Sequence, residues 1–200
     1  MNHIETLNRA FFLKINAGPG TAAWIIDRAA LVADDLIYLI PVLLVGLWLW
    51  GREGRRNLAL RAALVAMLGI GLNQLIGLAW PHPRPFAIGL GHTWIAHAAD
   101  SSFPSDHMTV FSSIGISLLL GGEVWFGVLT LAAALCVGWA RVFLGVHYPL
   151  DMLGAIGVAL FAHAVIARPW RSGGPRLTLF VEKIYWRLLA LPIQQGWLRR

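Results

Sequence analysis

The chain has 200 residues, 58% of them hydrophobic and only 13% charged, with ten tryptophans and a formal net charge of +6. A water-soluble domain carries roughly 25% charged residues, so this composition, with a mean hydropathy of +0.65, excludes an ordinary soluble enzyme. It indicates one all-α domain, residues 1–200, that crosses a bilayer several times.

In chain order, residues 1–20 place Ile4, Leu7, Phe11, Phe12 and Ile15 at helical spacing and predict an amphipathic interfacial helix. No compact apolar core with a cleavage site follows, so no cleavable signal peptide is expected. A spanning helix needs about 20 mostly apolar residues. Five stretches qualify: 30–50, 58–80, 105–121, 123–141 and 148–167. Residues 168–200 alternate arginine with Trp, Leu and Tyr and read as a basic tail on the membrane surface. The single cysteine, Cys136, permits no intramolecular disulfide and reads as a small buried hydrophobe.

Basic residues assign the sides. Arg52, Arg55, Arg56 and Arg61 follow the first span, and Arg168, Arg171, Arg176, Lys183, Arg187, Arg199 and Arg200 follow the fifth. That side is read as cytoplasmic, with residues 1–30, the 81–104 loop and the 141–148 turn opposite. Because the surplus of arginine follows topology, no nucleic-acid partner is inferred, and nothing in the sequence signals an oligomeric state.

Three polar clusters interrupt the apolar pattern, and five spans bring all three to the outer side. They are Trp80 to Phe86 (WPHPRPF), Pro104 to His107 (PSDH) and Ala140 to Asp151 (ARVFLGVHYPLD). Singly, each has an ordinary reading: Arg84 as an interfacial anchor, a histidine as a satisfied polar residue, Asp106 as a carboxylate favoured at a helix N-terminus. Asp151 resists such a reading, because intramembrane carboxylates are costly and usually paired or functional. Four residues from His147, it shares a helix face with that histidine if the helix starts by His147.

Converging, the clusters suit phosphoryl transfer. Arginine forks match phosphate oxygens, and a helix N-terminus favours an anion. Pro104 and Ser105 fit a helix opening, the serine able to cap it. One histidine can attack phosphorus while a carboxylate fixes its tautomer, and a second can protonate the departing oxygen. The set reads as phosphoryl transfer through a phosphohistidine, with no metal and no other cofactor.

The same clusters resemble the signature of the type 2 phosphatidic acid phosphatase superfamily: Lys-x6-Arg-Pro, Pro-Ser-Gly-His and Ser-Arg-x5-His-x3-Asp. Here the order is Arg84-Pro85, Pro104-Ser105-Asp106-His107 and Arg141-x5-His147-x3-Asp151. The resemblance implies a helical membrane bundle with His147 as nucleophile, Asp151 activating it and His107 protonating the leaving group. It implies that Arg84, Ser105 and Arg141 hold the phosphate. The chain departs from the pattern at three positions: Gly77 stands for the lysine, Asp106 for the glycine and Ala140 for the serine. His82, Gln74 or a bridging water are the candidates to replace the lysine, and a catalytic role for Asp106 stays open.

The FPSDH form and short chain are similar to the bacterial undecaprenyl-diphosphatase branch. That likeness implies a polyprenyl diphosphate substrate, a multi-pass protein of the bacterial inner membrane and a site facing outward. Phosphatidylglycerophosphate or phosphatidate phosphatase, and lipid phosphotransferase, are alternatives within the class. A non-catalytic lipid-phosphate binder, favoured by Gly77, is the alternative outside it. A metal site at His107, His147 and Asp151 is opposed by the two arginines, which would repel a divalent ion. His92 and His97 are expected to face water, with contact to a headgroup or pyrophosphate as the alternative. Gly89 and Gly91 would let their loop move as a lid, and His163 reads as a packed polar residue.

Overall fold

The apolar runs fold as helices because a bilayer offers the backbone no hydrogen-bond partners, so each segment must satisfy its own. The computed structural model describes residues 3–199, and these are nearly all helical. Helix α1 (His3–Ile15) buries Phe12 and Asn8 and leaves Ile4, Phe11 and Leu13 exposed, the amphipathic pattern expected of it; residues 1 and 2 lie outside the described residues. It packs against the end of α6 (Val124–Phe143) and the start of α7 (Pro149–Leu188).

The first span begins earlier than expected. Helix α2 (Ala23–Ala30) passes through a π-helical turn, Leu31–Asp35, and a 3-10 turn, Leu36–Tyr38, into α3 (Leu39–Leu49). Together they form one 27-residue apolar segment, Ala23–Leu49. Asp34 and Asp35 fall within this helical run, where Asp34 forms an ion pair with Arg141 at 3.1 Å.

Helix α4 is Glu53–Ala79 and helix α5 is Asp106–Leu120. Among the described residues, four helical segments are long and apolar enough to cross a membrane: Ala23–Leu49, α4, α6 and α7. The fifth expected span, α5, has 15 residues and is about 22 Å long, short of the roughly 30 Å hydrocarbon core. It can be short because it sits inside the bundle, packed on α4, α6 and α7. Its buried residues include Thr109, Ser112, Ser113 and Ser117 beside Phe111, Ile114 and Leu118, as expected where small and hydroxylated residues let membrane helices approach.

Large apolar residues face outward instead, Leu78 and Trp125 each 80% exposed. Cys136 is exposed as well, so it faces the lipid side rather than a packed interior. In a membrane, burial is not the only way for a small apolar side chain to avoid water.

The expected surface tail is absent as such. Helix α7 runs 40 residues, about 60 Å, through Pro169 and Pro175, and is followed by α8 (Ala190–Gln194). Its extension is docked, not free. Trp170 Nε1 donates to Asn57 Oδ1 at 2.9 Å, and Asn57 Nδ2 to Thr178 Oγ1 at 2.8 Å. The buried Arg56 and Glu182 pair at 3.1 Å, while Arg168, Arg171, Arg176, Lys183 and Arg187 all remain exposed.

Candidate active site

Five features meet at one end of the bundle: α1, the π-helical turn, the 80–105 linker, the start of α5 and the turn joining α6 to α7. Pro149 opens α7 at its first position, where its missing N–H costs nothing. Asp151 closes that end by accepting from Tyr148 N at 2.8 Å through Oδ2. The same oxygen accepts from Ser102 Oγ and faces His147 Nδ1 at 3.1 Å. One carboxylate thus caps a helix, ties down the linker and orients an imidazole. The backbone N–H of Ser105 donates to Asp151 O at 3.3 Å, which joins the second cluster to the third.

With Nδ1–H directed at the carboxylate, Nε2 of His147 carries the lone pair. Arg84 Nη1 donates to it at 3.0 Å. Arg84 also donates to Asp100 Oδ1 at 2.8 Å, Val146 O at 2.9 Å and Ser101 O at 3.3 Å. On the other side, Arg141 Nη1 donates to Ala33 O and Asp34 Oδ1, both at 3.1 Å. Its Nε is buried with no partner among the described residues. Two guanidinium groups, 5% and 1% exposed, are therefore anchored by backbone and carboxylate oxygens around one imidazole.

Ser105 opens α5 but its side chain makes no cap. Its hydroxyl, expected as a helix cap, is buried and has no partner among the described residues, which frees it for a ligand. His107, two residues on, is half-buried and feels the charges of Arg84, Arg141, His97 and His147. Asp106 turns aside: its carboxylate accepts from Asn73 Nδ2 at 2.8 Å and Gln74 Nε2 at 3.3 Å. Asn73, Gln74, Gly77, Arg84, Ser101 and Asp106 line a cavity of about 180 Å³.

Of the candidates to replace the lysine, Gln74 lines this cavity but is spent on Asp106, and His82 points elsewhere. The His82 ring lies 5.5 Å from that of Tyr148, and its Nε2 is 3.6 Å from Glu5 Oε2 on α1. A Cβ on Gly77 would come within 3.2 Å of Ser101 Cβ. The glycine accommodates the very residue whose carbonyl receives Arg84.

Burial, reinforced by Arg84 and Arg141, pushes the His147 imidazole well below its usual value and keeps it neutral. Partial burial pushes the Asp100 carboxyl up, but the hydrogen bond and charge of Arg84 outweigh it and leave it below the usual carboxylate range.

The linker is not loose over this site. Asn16 Oδ1 accepts from His92 N at 2.7 Å, and Asn16 Nδ2 donates to His92 O at 2.9 Å. Gly89 and Gly91 have φ of 69° and 70°, conformations in which a β-carbon is strained. A Cβ at Gly91 would strike Asn16 Oδ1 and the Phe12 ring. His92 is exposed, as expected, whereas His97 is half-buried with its ring 6.2 Å from that of His147. His163 faces Ser117 Oγ at 3.2 Å, a packed polar residue.

Sequence reasoning missed Asp34, Asn73, Asp100 and Ser102. The run Asp100-Ser101-Ser102 just ahead of Pro104 was the available signal for two of them. Asp34 and Asn73 lay in apolar stretches with nothing to mark their partners.

The bundle and its buried polar end define a multi-pass membrane protein with ionisable groups buried at one end of its interior. Residues 58–172 match the family model of the PAP2 superfamily. The chain belongs to that superfamily of membrane phosphatases. It is 38% identical over 196 residues, 98% of this chain and 99% of the relative, to the Escherichia coli K12 protein named "Putative undecaprenyl-diphosphatase YbjG". It is 37% identical over 135 residues to undecaprenyl-diphosphatase BcrC of Bacillus subtilis, covering 64% of this chain and 66% of that one. The fold is similar to that of LpxE from Aquifex aeolicus, with a TM-score of 0.67 and 23% identity over 81% of this chain and 95% of that one. It is also similar to the PAP2-type phosphatidylglycerolphosphate phosphatase of Bacillus subtilis, with a TM-score of 0.63 and 21% identity over 84% and 86% of the two chains.

Proposed function

We propose that the protein hydrolyses undecaprenyl diphosphate to undecaprenyl phosphate and inorganic phosphate, at the outer face of the bacterial inner membrane. The observation that carries the chemistry is the buried His147: its Nδ1 faces Asp151 and its bare Nε2 faces Arg84. The substrate is supported by the names of the relatives. The orientation is supported by the arginines that crowd the opposite end of the bundle.

The terminal phosphate would displace Arg84 from Nε2 and be held by Arg84, Arg141, the free Ser105 hydroxyl and the first N–H groups of α5. His147 Nε2 then attacks phosphorus. A P–N bond forms and the bond from that phosphorus to the bridging oxygen breaks; His107, neutral in the free protein and protonated from solvent as the diphosphate's charge arrives, passes that proton to the departing lipid phosphate. Asp151 accepts from Nδ1–H and offsets the charge that develops on the ring. In the second half, His107 takes a proton from water, the hydroxide attacks phosphorus, and the P–N bond electrons return to Nε2.

The test is phosphate release from undecaprenyl diphosphate in detergent with EDTA present. We expect wild type to turn over and His147→Ala to lose at least ~10³-fold in kcat. Release that survives in the variant overturns the nucleophile; none from folded wild type overturns the substrate.

A further inference from the structure

His97 belongs to none of the three clusters, yet it is held over the site. Its side chain is 21% exposed, and its ring stands edge-on to His147 at 77°. The backbone before it is pinned, with Trp94 N donating to Leu144 O at 3.1 Å and Trp94 Nε1 to Ala17 O at 2.9 Å. Nδ1 lies 3.1 Å from Ala98 O. A carbonyl can only accept, so Nδ1 carries the hydrogen. Nε2 has no hydrogen-bond partner among the described residues. The charged and titratable groups facing the ring are Arg84, Arg141, Asp100, His107 and His147.

A diphosphate brings two phosphates to this end of the bundle. Arg84, Arg141 and Ser105 gather about His147 and serve the phosphate under attack, where reacting atoms stand about 3 to 3.5 Å apart. The second phosphate lies farther out. The family lysine is gone at Gly77, with Ser101 packed against that position, and Asp106 adds a negative charge beside it. We propose that His97 binds the outer, lipid-bearing phosphate of a diphosphate through Nε2 and thereby sets the preference for diphosphates over monophosphates. The inference rests on the lipid-diphosphate reading above.

Electrostatics fit this role. Burial, with Arg84 and Arg141 adding to it, pushes His97 down and keeps it neutral before substrate arrives, while its bond to Ala98 and the Asp100 charge oppose that shift. The incoming phosphate supplies the negative charge that favours the imidazolium. One proton is taken up from solvent, and the ring then donates from Nδ1 to Ala98 O and from Nε2 to a phosphate oxygen. A monophosphate ester presents only its alkyl oxygen and chain at that place, so His97 gains nothing from it.

The experiment compares farnesyl diphosphate with farnesyl monophosphate in detergent, using wild type, His97→Ala and His97→Gln, each with its thermal unfolding midpoint measured. In His97→Ala, we expect the ratio of kcat/KM for diphosphate to that for monophosphate to fall about tenfold or more, chiefly through KM. In His97→Gln, whose amide N–H2 reaches the position of Nε2, most of the ratio is retained. An unchanged ratio in His97→Ala, or equal losses on both substrates, overturns the inference. Wild type that releases phosphate from neither substrate overturns the diphosphate reading itself, a result independent of either variant.

Discussion

Asp151 Oδ2 serves Ser102, Tyr148 and His147 together, so the orientation of His147, the proposed nucleophile, depends on a carboxylate that in this proposal touches no substrate. A hydrogen bond to a charged group contributes about 1.5 to 3 kcal/mol. Ser102→Ala is therefore expected to lower kcat roughly tenfold or more with little change in KM, a split that steady-state kinetics resolves. The depressed pKa of His147 has a definite sign in the pH profile. A nucleophilic histidine works when neutral and is lost as pH falls through its pKa. Lowering that pKa moves the acid limb of kcat/KM below the ordinary histidine value of about 6.5. Because Arg84 contributes to the depression, Arg84→Gln should shift the limb to higher pH as well as weaken binding. A limb that stays in place would show that burial and the other neighbouring charges set it without Arg84.

Helix α7 acts at the scale of the element. Its first turn carries the candidate active site, and about 30 residues later it closes the far end of the bundle. There Arg56 pairs with Glu182 and donates to Trp48 O at 2.9 Å and Arg199 O at 2.6 Å, with its guanidinium 4.8 Å from the Tyr185 ring centre. Removing one partner of a buried ion pair strands the other charge and costs about 3 to 5 kcal/mol. Glu182→Ala should lower the unfolding midpoint in detergent sharply, whereas Glu182→Leu combined with Arg56→Met should recover much of the loss. Since the pair lies at the end opposite His147, the folded fraction of either variant should retain wild-type kcat per molecule. A proportionate loss of kcat would show that the two ends are coupled through α7.

For the whole molecule, the site and the arginine-rich end face opposite ways along the bundle, so sidedness is one question with one answer. In a Cys136→Ser background, cysteines at Ala99 and Leu191 should label from opposite sides of intact cells, Ala99 from outside. Ala99 is in the linker beside the site and Leu191 is in α8 at the far end, and both are exposed. Labelling from the same side would overturn the topology and the outward-facing site with it.

Much of this architecture is legible in the amino-acid order. Apolar runs of spanning length follow from the bilayer's demand that every backbone group be satisfied within its own segment. The three polar clusters, with His147 four residues before Asp151, mark the end at which chemistry is placed. Tertiary structure decided what local pattern cannot express. It seats Asp34 against Arg141 across 107 residues, Ser102 against Asp151 across 49 and Ser101 against Gly77. It turns Cys136 outward, lays residues 168–188 along α4, and leaves the Ser105 hydroxyl without its expected cap. It also swings His97 from water to within 6.2 Å of His147, ring to ring. The physical reason is common to these cases. Local sequence sets which groups need a partner, but in a membrane bundle any helix can supply one, and the choice belongs to the packing.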